Sequence, residues 1–250
     1  LDSVGPLARS VEDCALVYQA LIGDDPRDPS TAGVPPHNVL ENLQAGAKGL
    51  RIGLPTNVFF DDLDPETERA MDEAIDVFKR SGAHLTDIEV PEAAQAAPLG
   101  AILSAAEACV VHKDRLEEHH IEQMDPVVGQ RMRADLNITA TDYIVARRSA
   151  RALRASLANT LQDIDVLLMP TTPRPALPVA EVAADLDTYN AHSPIYARNT
   201  RIGNVLDLCG LSVPAGFTAN GLPIGLMVCG KPFAEATILR AGYAYEQATE

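Results

Sequence analysis

The sequence predicts an α/β fold, a mixed sheet layered between helices. Three observations carry that prediction. An apolar run, an amphipathic helical segment and a second apolar run succeed one another over residues 50–90. Two strand-like runs near the end of the chain flank Asn220-Gly221. Helical apolar periodicity recurs before, between and after these strands. Residues 1–250 are read as a single α/β domain portion, with ample chain for a sizeable core.

Each element has a local reason. Ser10, with Asp13 three residues on, is a candidate N-cap for a first helix. Val11, Cys14, Ala15, Tyr18, Leu21 and Ile22 supply its apolar stripe, and Gly23 ends it. Residues 24–46 are rich in Asp, Pro and Gly and read as a long connection. Leu50 to Leu54 is a short strand, Asp64-Pro65 opens a helix that runs to Ser81, and Gly82 closes it. Leu85 to Val90 returns as a second strand, and this spacing favours parallel pairing through a right-handed crossover. Pro91 to about Met124 is alanine-rich and mostly helical. Thr139 and Asp142 cap a further helix, whose buried stripe is Ala146, Ala150, Leu153, Leu157 and Leu161. Asp165 to Met169 is a buried strand, and the four prolines from Pro170 to Pro178 exclude regular structure after it. Leu211 to Ala215 and Ile224 to Val228 form a hairpin, because Asn220-Gly221 tolerates the positive φ of a tight turn. Phe233 to Gln247 is a closing amphipathic helix.

Composition narrows the function classes. Hydrophobic residues make up 46% and charged residues 22%, which excludes disorder as the dominant state. Twenty Lys and Arg against 35 Asp and Glu leave a formal net charge of −15, which disfavours direct contact with nucleic acid or an anionic membrane. The clearest apolar runs, Val166 to Met169 and Leu226 to Cys229, fall far short of a membrane span. Cys14, Cys109, Cys209 and Cys229 lack CxxC spacing, which argues against a zinc site and for a reducing, cytoplasmic setting. No secretory signal is visible, and the chain begins at Leu1 rather than at methionine.

Most familiar catalytic motifs are absent from the sequence. Ser212 lies in Gly210-Leu211-Ser212-Val213-Pro214, which lacks the second glycine of a nucleophile elbow and reads as strand. No phosphate-binding glycine loop is present. His112, His119 and His120 cluster without HExxH spacing on a charged helix, so neither a metal nor a cofactor is expected. One polar cluster stands out. Tyr143, Arg147, Arg151 and Arg154 line one side of a helix and, with Arg148, form a basic patch in an acidic chain. A guanidinium there could pair bidentately with a ligand carboxylate, or the patch could be a boundary face balanced by nearby acids.

Several blocks resemble one family. Leu1-Asp2-Ser3-Val4-Gly5-Pro6-Leu7-Ala8-Arg9-Ser10-Val11-Glu12-Asp13 is similar to the segment that follows the catalytic core of amidase signature enzymes. The resemblance continues through Asp165 to Pro173, Arg198-Asn199-Thr200, Asn204, Leu211 to Phe217 and Gly221 to Leu226, in the family's order. It implies an α/β/α layered domain and hydrolysis of amides, or release of ammonia from an amide for transfer. It also implies a serine nucleophile, a second serine with a cis peptide bond, and a lysine, the neutral lysine accepting a proton through the bridging serine. That Gly/Ser-rich stretch belongs before Leu1, and Lys48, Lys79, Lys113 and Lys231 lack the family's context. The resemblance therefore implies the C-terminal portion of an amidase, with no catalytic residue on this chain. In members acting on carboxylate-bearing substrates, such as allophanate hydrolase, a helical Tyr and Arg contact the substrate carboxylate. Tyr143 and Arg151 fall in the corresponding region.

The expected function is thus part of an amide-bond hydrolase acting on a small-molecule amide. The alternatives are the A subunit of a tRNA-dependent amidotransferase, with any tRNA contact left to a partner, and a non-catalytic α/β scaffold. Apolar surface at missing strands would also make a homodimer an open alternative.

Overall fold

The computed structural model describes residues 3–28, 31–33, 37–116, 120, 123–182 and 186–249. Five strands form one sheet: β1 (Arg51–Pro55), β2 (His84–Ile88), β3 (Val166–Pro170), β4 (Cys209–Phe217) and β5 (Pro223–Gly230). Their order is β2-β1-β3-β5-β4. β1 pairs parallel with β2 and β3, while β5 runs antiparallel to both β3 and β4. The sheet is mixed, as the sequence predicts.

Strand alternation divides the apolar side chains between two cores. Val166, Leu168, Ile224, Leu226 and Val228 face one, packed beneath α1 (Val11–Leu21), α2 (Pro65–Arg80) and α8 (Glu235–Thr249). Leu167, Met169, Met227 and Cys229 face the other, beneath α3 (Pro91–Val111), α5 (Ala140–Thr160) and α7 (Leu186–Val205). The result is three layers, α/β/α.

Local signals are realised in place. Ser10 Oγ accepts from Asp13 N at 3.1 Å, and Asp64 Oδ1 accepts from Glu66 N at 2.9 Å. Thr139 and Asp142 close a reciprocal capping box. Gly221 takes φ 78° in the β4–β5 turn, the left-handed conformation that glycine adopts without strain.

Other expectations need correction. Leu21 is exposed rather than part of the packed stripe, because Val11 and Ala15 are the fully buried positions of α1 and Tyr18 carries the contact in its last turn, leaving Leu21 on the outward side. The helix expected to reach about Met124 stops at Val111 and gives way to a 3₁₀ turn at Lys113–Leu116. Three further helices lie outside the sequence reading: α4 (Pro126–Asp135), the single turn α6 (Val179–Val182) and α7. Pro194 inside α7 and the buried polar Asn199 break the apolar periodicity by which a helix is recognised. The longest apolar segment is α3 and not either strand run. By length and composition it is the one described helix that could cross a membrane, with mean hydropathy 1.4 over its best window. Alanine supplies much of that value, and the helix packs Ala93, Ala96 and Leu103 into the second core against α5 and α7.

Candidate substrate-binding site

α5 presents the basic face. Its apolar stripe packs into the second core, which leaves the neighbouring rows at the rim. Tyr143 is half-buried there, and its hydroxyl donates to Glu107 Oε1 of α3 at 2.8 Å. The Arg147 guanidinium lies 5.9 Å from the centroid of the Tyr143 ring, within cation–π range. Arg148 and Arg151 are exposed, and among the described residues Arg151 makes no hydrogen bond or ion pair. Arg154 differs from the rest of the row. Its Nε donates to the Val205 carbonyl at 2.8 Å, and Nη1 stands 3.7 Å from Asp207. It clamps the last turn of α7, where a cation also meets the negative end of the helix dipole. The structure thus splits the basic patch. Arg154 is structural, Arg147 covers Tyr143, and Arg151 is open to solvent.

A second polar assembly lies at the carboxyl ends of β1 and β3. Asn199 is fully buried, and its Nδ2 donates to Phe59 O at 3.0 Å and Pro170 O at 2.8 Å. Arg198 Nη2 donates to Asp61 O at 2.6 Å, and Tyr196 Oη donates to Pro175 O at 2.8 Å. Burial holds the Arg198 guanidinium below its ordinary range, against the opposing pull of Asp61 and Asp62. α7 therefore ties the loop after β1 to the loop after β3. Ser212 lies within β4, and its Oγ is 2.7 Å from Thr171 Oγ1. A Cβ on Gly225 would stand 2.8 Å from Thr171 Oγ1 and 2.9 Å from Ser212 Oγ, so glycine there permits the pair to meet.

The remaining candidates disperse. Among the described residues no three His, Cys, Asp or Glu side chains converge as a metal site would require. His112 Nδ1 sits 3.2 Å from Arg115 Nη1 and His120 Nδ1 sits 3.0 Å from Asp114 O, while His119 lies outside the described residues. All four cysteines are free. Burial pushes the Cys209 and Cys229 thiols up to about 12 and raises those of Cys14 and Cys109, so the neutral form is favoured at each. Lys79 pairs with Asp76 at 3.0 Å and Lys231 Nζ reaches Gln162 O at 3.5 Å. Two open clefts of about 360 and 570 Å³ are walled by Phe60, Asp62 and Met71 in one case and Arg115, His120 and Val128 in the other; neither is lined by Tyr143 or Arg151. Glu107, the partner of Tyr143, had no signal in the sequence, since the two lie 36 positions apart on different helices.

The fold and its polar rims define a class, the three-layer α/β/α proteins with a mixed sheet. Within it, the chain belongs to the Amidase family, whose sequence pattern matches residues 1–239. It is 41% identical over 251 residues to an amidase of Pseudomonas putida, covering 100% of this chain and 53% of the relative. It is 35% identical over 274 residues to the A subunit of glutamyl-tRNA(Gln) amidotransferase of Geobacter sp. strain M21, covering 100% of this chain and 56% of the relative. The crystal structure of the corresponding A subunit from Thermotoga maritima superposes with a TM-score of 0.82 at 23% identity, over 99% of this chain and 53% of that one, a likeness of fold. The chain spans about half the length of the relatives it matches.

Proposed function

We propose that residues 1–250 are the C-terminal portion of an amidase that hydrolyses a small-molecule amide, and that Tyr143 and Arg151 contact its substrate. The observation that carries the reading is 41% identity along the whole chain to the Pseudomonas putida amidase. In this reading the nucleophilic serine, its bridging serine and the lysine precede Leu1, and the 250 residues contribute binding and support. Arg151, exposed and unpaired among the described residues, supplies a guanidinium for a substrate carboxylate. The α7 tie through Arg198 and Asn199 holds the loops at the carboxyl ends of the parallel strands, where open α/β sheets bind ligands. Four free thiols support a reducing, cytoplasmic setting, and a net charge of −15 argues against direct nucleic-acid contact.

A second reading rests on the 35% identity to the amidotransferase relative: the ammonia released from an amide would then be passed on within a complex. The coding sequence preceding Leu1 separates the hydrolase from a non-catalytic α/β scaffold, and the neighbouring genes separate it from the amidotransferase. A Gly/Ser-rich segment with a lysine ahead of it supports the hydrolase, and its absence sinks the hydrolase; adjoining partner genes favour the amidotransferase. The 250-residue chain alone is expected to release no ammonia from simple amides above a blank, since donors without nucleophile and base give little turnover.

A further inference from the structure

From the approach of His37 to Glu235 we infer that the connection between α1 and β1 is held on α8 by a proton-operated latch, closed in mild acid and slack above neutral pH. Val39, Leu43 and Ala47 of that connection are buried in the first core, which α8 also lines. Arg240 of α8 pins the far end, where Nε donates to Gly46 O at 2.8 Å and Nη2 donates to Lys48 O at 3.2 Å. An arginine keeps its charge at every working pH, so this clamp is permanent. The near end is built differently. There Gln19 of α1 donates to His37 O at 3.3 Å and accepts from Val39 N at 2.8 Å. The His37 ring approaches Tyr18, with centroids 6.3 Å apart, and its Nε2 stands 3.6 Å from Oε2 of Glu235, the first residue of α8.

Both atoms are buried, and among the described residues neither has a hydrogen-bond partner. At 3.6 Å they are too far apart for a made bond, yet each is the group the other lacks. A charged imidazole donates from Nε2 to the carboxylate, a bond that draws its heavy atoms to about 2.7–2.9 Å. A neutral ring offers at best an uncharged donor, and in its other tautomer a lone pair. The neighbouring groups leave the decision to His37. Burial, and then the Glu235 carboxylate, push the Tyr18 phenol up; burial pushes the Cys209 thiol up to about 12, so neither changes charge near neutrality. Of the cations beside Glu235 in the chain, Lys231 turns its Nζ to Gln162 O and Arg240 is engaged with Gly46 and Lys48. Histidine is the side chain whose ordinary titration falls between about pH 5 and 8. A cation that gains a partner on folding stabilises on the acid side, and that contribution is lost as pH rises.

Amide hydrogen exchange on the 250-residue chain, at about pH 5.5 and about pH 8 and divided by the intrinsic rates, reads the two clamps separately. The Val39, Leu40 and Leu43 amides, which donate to Gln19 Oε1, Asn38 Oδ1 and Leu40 O, report on the His37 end. The Gly49 and Leu50 amides, which donate to Gly82 O and Ala47 O, report on the Arg240 end. In the wild type the first set is expected to be roughly tenfold better protected at the lower pH, the low end for a charge-assisted bond because the pair is partly exposed. The second set should change less than about twofold, since its clamp does not titrate. His37→Gln and Glu235→Gln should each bring the first ratio within about twofold of one. A wild-type ratio near or below one overturns the inference, as does an equal ratio at both ends or a tenfold ratio that survives in both variants. Should one variant lose its circular dichroism spectrum, the other variant and the wild-type contrast between the two ends still decide.

Discussion

Asn199 donates from its side-chain amide to the carbonyl of Pro170, at 2.8 Å and with no solvent exposure. The second proton of the same amide goes to Phe59 O at 3.0 Å, and its oxygen receives Arg198 Nε at 3.3 Å. One side chain thereby satisfies the last carbonyl of β3 and a carbonyl of the loop after β1. Asn199→Leu strands both. Each unpaired buried carbonyl costs about 1–3 kcal/mol, so a loss of about 2–6 kcal/mol is expected from the urea midpoint. A loss under about 0.5 kcal/mol, the range of an ordinary surface change, would refute the role given to this amide.

Acid stability should depend on Asp165. Its carboxylate accepts from Arg51 N at 2.8 Å and from Arg51 Nη2 at 2.7 Å, and the guanidinium bond holds the carboxyl below the usual range. The folded value lies below the unfolded one, so the contribution is present above the unfolded pKa of about 4 and is lost as pH falls through the folded value. Urea midpoints of wild type and Asp165→Asn are expected to differ at about pH 6 and to converge below about pH 4. Parallel curves across that window would contradict the pairing.

The arginines of α5 should separate by function. Arg154→Ala removes the clamp on Val205 O and is expected to cost about 1–2 kcal/mol of stability, toward the low end for a charged hydrogen bond because the group is half-exposed. Arg151→Ala should leave stability within about 0.5 kcal/mol. In the longer, active enzyme, Arg151→Ala is expected to raise KM for a carboxylate-bearing amide about tenfold and to spare its neutral analogue. Equal, small effects on both substrates would make Arg151 a solvated surface residue.

Thiol labelling offers an independent check on the sheet. With their thiols pushed up to about 12, Cys209 and Cys229 should alkylate with iodoacetamide at about pH 8 on the order of a thousandfold more slowly in the native protein than in urea. Mass spectrometry of the labelled peptides reads this directly. Native rates equal to the unfolded ones would place these cysteines outside a packed sheet.

The sequence by itself determined the elements whose signals are local. The Ser10 cap, the Asp64-Pro65 helix start, the Thr139–Asp142 capping box and the Asn220-Gly221 turn each depend on residues within a few positions, and each is realised. The α5 stripe was legible for the same reason, since a helix brings positions three and four apart onto one face. Tertiary structure alone decided the rest. α7 holds its place through Asn199, a polar residue at a core position, and its interior Pro194 contradicts helix propensity; packing against α3 and the ends of β1 and β3 sustains it. The site was decided in the same way. Four arginines near Tyr143 look equivalent in the sequence, and only the meeting of α5 with α3 and α7 assigns Arg154 to Val205 and Tyr143 to Glu107. Hydrogen bonds between residues 36 and 51 positions apart leave no periodicity in a chain, because they form only where independently folded helices are brought side by side.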